Sequence, residues 1–77
     1  MRPTYNLIPF SRWLRNKIYS HDILVYPMAS DIGVSPKTIY NHMNGIHAPT
    51  FPIIVAYCWY FNDGDDPREI WKMIEES

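Results

Sequence analysis

Three histidines are the first side chains to consider for chemistry, because histidine is a common zinc ligand. His21, His42 and His47 are separated by 21 and 5 positions. Two zinc ligands on one helix usually lie three or four positions apart. We therefore expect no metal site built from these histidines.

The acidic residues Asp63, Asp65 and Asp66 have the composition of a calcium loop. The regularly spaced later ligands and the closing glutamate of such a loop are missing, so a turn and a helix N-cap are expected instead.

Cys58 is the only cysteine, and its place on an apolar helical stripe predicts a small buried hydrophobic residue. No nucleophile elbow, glycine-rich phosphate loop or pair of carboxylates for acid-base work is present. We expect no enzyme activity, no cofactor and no small-molecule substrate.

Apolar residues recur at helical spacing along the chain and predict five helices and an all-α fold. The helices are expected over about Pro9–Tyr19, Val25–Ile32, Pro36–Met43, Pro52–Phe61 and Pro67–Glu76. The residues expected to face the core are Phe10, Trp13, Leu14, Ile18, Met28, Ala29, Ile32, Ile54, Tyr57, Cys58, Phe61, Ile70, Met73 and Ile74. The aromatic run from Tyr57 to Phe61 predicts side chains that pack in the core and one exposed edge. This edge is a candidate dimer seam, the surface at which two copies of the chain would meet.

The second and third helices are separated by a very short segment. Gly33 is expected to end the second helix in a left-handed conformation. Ser35 is a good N-cap, and Pro36 a good first residue, for the third. Asn44 and Gly45 then stop that helix. Two short helices joined by a tight turn with glycine are typical of a helix-turn-helix unit, here over about residues 25–44.

The ordered set Ala29, Gly33-Val34-Ser35, Thr38-Ile39, Gly45 and Pro49 resembles the helix-turn-helix family of lambda repressor, Cro and their bacterial relatives. The likeness covers about residues 10–62. It implies one five-helix lambda-repressor-like domain over 1–77, with the third helix as recognition helix. By the same resemblance the protein is a small transcriptional regulator of a bacteriophage genetic switch, binding double-stranded operator DNA as a dimer.

The resemblance also implies roles for residues of the third helix and the loop after it. Lys37 would donate to guanine and Asn41 would bond adenine, with Pro36 and Tyr40 beside them at the base edges. The phosphates would be held around the helix ends, where they fix register without reading sequence. The positions concerned are Ser35, Thr38, Asn44 and His47.

Several positions depart from the family pattern. Ile18 and Met43 stand where many relatives pair an arginine with a glutamate, and a packed apolar pair is an acceptable replacement. Val25 stands where a glutamine often binds phosphate, and His42 stands at a usually apolar position. Lys37 is the only lysine or arginine of the third helix. A second hypothesis therefore stays open: an antirepressor, or modulator of repression, that binds a phage repressor of the same fold and blocks its DNA binding.

The composition suits either hypothesis. The 77 residues carry a net charge of -1 and are 16% aromatic. Residues 1–50 hold five basic and two acidic residues, a net of +3; residues 51–77 hold two basic and six acidic residues, a net of -4. Tyr5, Trp59, Tyr60 and Trp71 are left over when the core is counted, and aromatic residues are enriched at protein interfaces. No membrane segment or signal peptide is predicted. The single cysteine suits the cytosol, and the family resemblance implies that this is the cytoplasm of a bacterial host.

Overall fold

Five helices form in the part of the chain that the computed structural model describes, residues 6–75, with the side chain of residue 75 left aside. They are α1 (Ile8–Ser20), α2 (Val25–Ile32), α3 (Pro36–Met43), α4 (Phe51–Phe61) and α5 (Pro67–Glu75). No strand occurs in this range. The all-α prediction and the five helices are confirmed, while Arg2, Tyr5 and the expected end at Glu76 lie outside the described residues.

Proline fixes where several of these helices begin. α1 and α4 each start one residue before the expected proline, so that Pro9 and Pro52 lie inside the first turn. Proline is tolerated there because its missing N–H would have no partner within the helix. At α3 the expected start is confirmed: the Ser35 hydroxyl accepts a hydrogen bond of 3.2 Å from the Thr38 N–H.

The sequence Asp66-Pro67-Arg68-Glu69 predicts a capping box at the start of α5, and the structure differs from it in detail. Asp66 accepts a 2.9 Å hydrogen bond from the Arg68 N–H, two residues ahead. The Glu69 carboxylate lies 3.8 Å from Lys72 of the next turn instead of reaching back to Asp66. Asp66 therefore caps the helix as predicted. A capping box also requires a hydrogen bond from the Asp66 backbone N–H to the Glu69 side chain, and none is found among the described residues.

The core lies between all five helices. The buried apolar residues are Phe10, Leu14, Ile18, Val25, Met28, Ala29, Ile39, Met43, Ile54, Tyr57, Cys58, Phe61, Ile70 and Ile74. The inward stripes predicted for α1, α2, α4 and α5 are all represented, and Trp13, Ile32 and Met73 pack around the edge, partly buried. Burial raises the pKa of the Cys58 thiol to about 11, and Asp65 and Asp66 act in the same direction. Cys58 is thus the small buried residue that was predicted.

Two glycines set the turns on either side of α3. Gly33 has φ +90° and is the left-handed C-cap of α2, as predicted. Gly45 has φ +68°, and a Cβ there would lie 3.1 Å from the Ser11 hydroxyl oxygen of α1. Gly45 therefore meets two demands, a left-handed backbone and a close approach to α1, whereas nothing lies within 4 Å of a Cβ at Gly33.

Alanine at these two glycines is expected to separate backbone strain from steric strain. Gly33→Ala should lower the free energy of unfolding by about 1 to 2 kcal/mol, the cost of a left-handed non-glycine residue. Gly45→Ala should cost more, because Ser11 must also move. Urea unfolding followed by tryptophan fluorescence measures both. Equal losses would show that the α1 contact imposes no constraint of its own.

Candidate nucleic-acid interface

The outward face of α3 and its C-cap residue together carry four polar or aromatic side chains at helical spacing. Lys37, Tyr40, Asn41 and Asn44 follow one another at steps of three, one and three, and we call them the α3 outer stripe. Lys37 and Asn44 are exposed, Tyr40 is 42% exposed, and Asn41 is half-buried. Three of the four residues expected at base edges, Lys37, Tyr40 and Asn41, therefore share one accessible face, while Ile39, His42 and Met43 face the core.

The hydroxyl groups at the beginning of α3 are engaged with each other. Besides the cap bond, the hydroxyl oxygens of Ser35 and Thr38 are 2.9 Å apart and hydrogen-bonded. Pro36, between them in sequence, is half-buried. Ser35, Pro36 and Thr38 fix the direction in which α3 leaves the turn. Their main structural role is therefore to position Lys37.

The end of α3 is closed by the loop that follows. The Asn44 N–H donates to the Tyr40 carbonyl at 3.0 Å, and the Ile46 N–H reaches back to the Asn41 carbonyl at 2.9 Å. The Asn44 side chain stays exposed at the last turn, and His47 is exposed in the loop beyond it. Asn44 therefore continues the outer stripe, and His47 lies on the segment leading to α4.

A buried polar pair holds the inner side of α3 against α4. His42 Nδ1 lies 2.6 Å from the Tyr57 hydroxyl oxygen, and the two are hydrogen-bonded. His42 is 5% exposed and Tyr57 is fully buried. Burial lowers the pKa of His42 to about 4, helped by the nearby charge of His47, and burial raises the pKa of Tyr57. The sequence shows that His42 departs from an apolar pattern, but nothing in it marks Tyr57, fifteen positions away, as the partner.

The basic residues divide into paired and unpaired groups. Lys17 of α1 lies 2.7 Å from carboxylates of both Asp63 and Asp65, and Asp63 also lies 2.6 Å from His21 Nε2. These contacts hold the pKa of Lys17 above its ordinary value and that of Asp63 below it, mainly through the Lys17–Asp63 hydrogen bond in each case. Acidic residues from positions 51–77 thus pair with a basic residue from positions 1–50. The basic and acidic parts of the sequence therefore do not form two separate surfaces.

Among the side chains that the structure describes, the cations with no carboxylate within 4 Å are Arg12, Arg15 and Lys37. Arg12 and Lys37 are exposed, and Arg15 is half-buried. These are the charges available to a polyanion. Their number is small for a surface that neutralises many phosphates.

Arg15 joins α1 to the end of α3. Its Nη1 donates to the Met43 carbonyl oxygen at 3.2 Å, a favourable place for a cation because carbonyl groups at a helix C-terminus carry partial negative charge. Ile18 and Met43 are both buried, as expected for an apolar replacement of an ion pair. The α1–α3 junction nevertheless contains an arginine, because Arg15 lies three residues before Ile18. Aligning the sequence with the family pattern position by position does not reveal this contact.

A second accessible surface lies on α4 and is apolar. Pro52, Val55 and Trp59 recur at steps of three and four, and we call them the α4 outer face. Val55 is 41% and Trp59 71% exposed. No residue of α4 is charged. The exposed edge predicted for the aromatic run is therefore Trp59, while Tyr57 and Phe61 belong to the core.

The other leftover aromatics are less accessible than Trp59. Tyr60 is half-buried, and its ring meets Phe61 edge to face. Trp71 is half-buried and packs edge to face against Phe51, with ring centroids 5.8 Å apart. Several aromatic residues were expected at the surface from the sequence. Among those that the structure describes, Trp59 is the one whose side chain is mostly exposed.

Among the described residues, no three histidine, cysteine or acidic side chains converge as metal ligands would, and no helix has the length and apolar character to cross a bilayer. No family model matches the chain, and neither the curated proteins nor the solved structures that were compared with it include a match.

Proposed function

We propose that this protein is a small transcriptional regulator of the lambda repressor/Cro type, which reads operator DNA with α3 in a bacteriophage genetic switch and acts in the cytoplasm of a bacterial host. The observation that supports this best is the α3 outer stripe. It places a lysine and an asparagine on the accessible face of a short helix that follows another helix after a three-residue turn.

The chemistry of the stripe suits the major groove, which admits an α-helix. Lys37 donates to the O6 or N7 acceptors of guanine, and Asn41 pairs with adenine through its carboxamide. Tyr40 lies between them, within reach of a thymine methyl group or a sugar. Asn44 and His47 meet phosphates at the other end of α3, where contacts set the register of the protein on the duplex.

The size of the recognition element and the α4 outer face both support binding as a dimer. An eight-residue helix is about 12 Å long and meets only a few base pairs, so two copies on a palindrome supply the remaining specificity. Because α4 has no charged residue, two copies can bring the same face together without like charges meeting. We propose a second copy of the chain as the occupant of the α4 outer face.

Replacing Trp59 by serine is expected to weaken this dimer by at least about 30-fold, since an anchoring tryptophan contributes about 2 kcal/mol or more. Sedimentation equilibrium measures the dissociation constant. Tyr26→Ser is the matched control, because Tyr26 is similarly exposed, at 69%, but lies on α2. A wild-type chain that stays monomeric, or equal effects of the two substitutions, would contradict the dimer seam.

Selection of bound sequences from a random double-stranded DNA pool tests the function itself. The expected product is one enriched motif with two-fold symmetry, its half-sites one helical turn apart. If no sequence is enriched at low salt, where phosphate contacts are strongest, the proposal of DNA reading fails.

The scarcity of unpaired cations favours a second candidate, the antirepressor or modulator of repression. Only Arg12, Arg15 and Lys37 are free of carboxylate partners in the described range, whereas Tyr19, Tyr26 and Trp59 are each at least two-thirds exposed. A chain of this kind would form a complex with a phage repressor encoded beside it and lower the affinity of that repressor for its operator. Co-elution of the two proteins, followed by a gel shift of the repressor, distinguishes this function from direct DNA reading.

A further inference from the structure

A polar pocket lies where α1 meets the loop after α3. Its volume is about 340 Å³, and its polar lining comes from Asn6, Ser11, Arg15, Asn44 and Gly45. The lining contains no aspartate or glutamate. The pocket therefore carries a positive charge that no carboxylate of its own wall offsets.

Arg15 determines what such a pocket can bind. Its guanidinium uses Nη1 to donate to the Met43 carbonyl, which orients the group and leaves further N–H donors among the five that arginine carries. Planar guanidinium groups bind phosphate oxygens through paired hydrogen bonds. The exposed carboxamide of Asn44 adds another donor at the same pocket.

The pocket is built into the junction between α1 and the loop after α3. The Ser11 hydroxyl, 3% exposed as a residue, donates to the Leu7 carbonyl at 2.7 Å. Gly45 brings the loop so close to Ser11 that a Cβ would lie 3.1 Å from the hydroxyl oxygen. Arg15 is therefore held between two elements whose separation is fixed, which lowers the entropy that it loses on binding an anion.

The pocket continues the α3 outer stripe, because Asn44 belongs to both. From Lys37 to Asn44 the helix rises by about 10 Å, close to the width of a major groove, about 12 Å. With Lys37 at the base edges, the opposite end of the stripe reaches the sugar-phosphate backbone at the groove wall.

We propose that this pocket binds a phosphate group through Arg15 and Asn44, and that the phosphate is one of the DNA backbone. The second half of this statement rests on the proposed function, and the first half does not. Arg15 is then a positioning contact that fixes the register of α3 and reads no base.

Two measurements test the proposal. In the first, inorganic phosphate is titrated into the labelled free protein at constant ionic strength, and amide and guanidinium NMR signals are followed. Saturable shifts are expected at Arg15, Asn44 and Gly45, and they should disappear in Arg15→Gln. Arg12→Gln is the matched control, since it removes an exposed, unpaired cation from the same helix outside the pocket and should leave the shifts unchanged.

In the second measurement, the affinity of the dimer for its selected DNA is determined as a function of salt. Arg15→Gln is expected to weaken binding to all sequences equally and to reduce the salt slope by about 1 for each pocket that loses its phosphate. Asn44→Asp, which leaves Arg15 in place and puts a negative charge at the pocket, should weaken phosphate binding as well, so the test does not depend on the stability of one variant.

The outcomes separate the pocket from the proposed function. Phosphate shifts that persist in Arg15→Gln, or no saturable shift in the wild type, would overturn the phosphate site. An unchanged salt slope in Arg15→Gln, with DNA still bound, would overturn the backbone contact. If the wild type binds inorganic phosphate in the pocket but no DNA, the proposed function fails while the phosphate site stands.

Discussion

Replacing Lys37 and Asn41 together by alanine is expected to lower the affinity for the selected operator by at least about 30-fold. A good side-chain contact to a base edge contributes about 1 to 3 kcal/mol, and the double variant removes two of them. Neither side chain is part of the core. The hydrogen bond that closes the end of α3 uses the Asn41 backbone carbonyl, so the helix should form in the variant.

A gel shift at low salt measures this effect, with the melting temperature of the variant as a check of folding. The double variant Asn16→Ala and Lys72→Ala is the matched control, because it removes the same residue types from exposed positions on α1 and α5. Loss of discrimination between the selected operator and a scrambled duplex should accompany the loss of affinity. Unchanged operator retention would exclude α3 as the reading element and strengthen the protein-binding alternative.

Much of the fold could be predicted because its signals are local. Ser35 and Pro36 mark the start of α3, and Gly33 marks the end of α2, through preferences that act within one turn of chain. Helical spacing then places Lys37 and Asn41 on the face opposite Ile39. The outer stripe is therefore a consequence of periodicity alone, once the start of α3 is fixed.

The contacts that could not be predicted join residues far apart in sequence. Lys17 meets Asp63 across 46 positions, and Arg15 meets the Met43 carbonyl across 28. No local preference marks such partners, since Lys17 and Arg15 each have the pattern of a solvated helix face when the sequence is considered alone. The phosphate pocket depends on the second of these contacts, which is why α3 and its outer stripe could be expected from the sequence and the pocket could not.

The free energy of unfolding is expected to fall by up to about 3 kcal/mol as the pH decreases from 6.5 to about 4, because of His42. The pKa of His42 is about 4 in the folded protein, against an ordinary value of 6.5. Between these values the unfolded chain binds a proton at this residue and the folded chain does not, so stability rises with pH. The contribution is complete above pH 6.5 and is lost as the pH falls toward 4. Its size follows from the gap between the two pKa values, since a tenfold difference in proton affinity is equivalent to about 1.4 kcal/mol.

Urea unfolding across this window, repeated for His42→Gln, isolates the contribution. Glutamine can keep a hydrogen bond to the Tyr57 hydroxyl but binds no proton, so its stability should change much less with pH. His47→Gln is the control for an exposed histidine and should keep most of the slope. Asp63 and Asp66 do not account for the expected loss, because their pKa values are lowered from 3.8 and their contributions disappear only in more acidic solution. A slope in His42→Gln as steep as in the wild type would mean that the buried His42–Tyr57 pair does not exclude the proton.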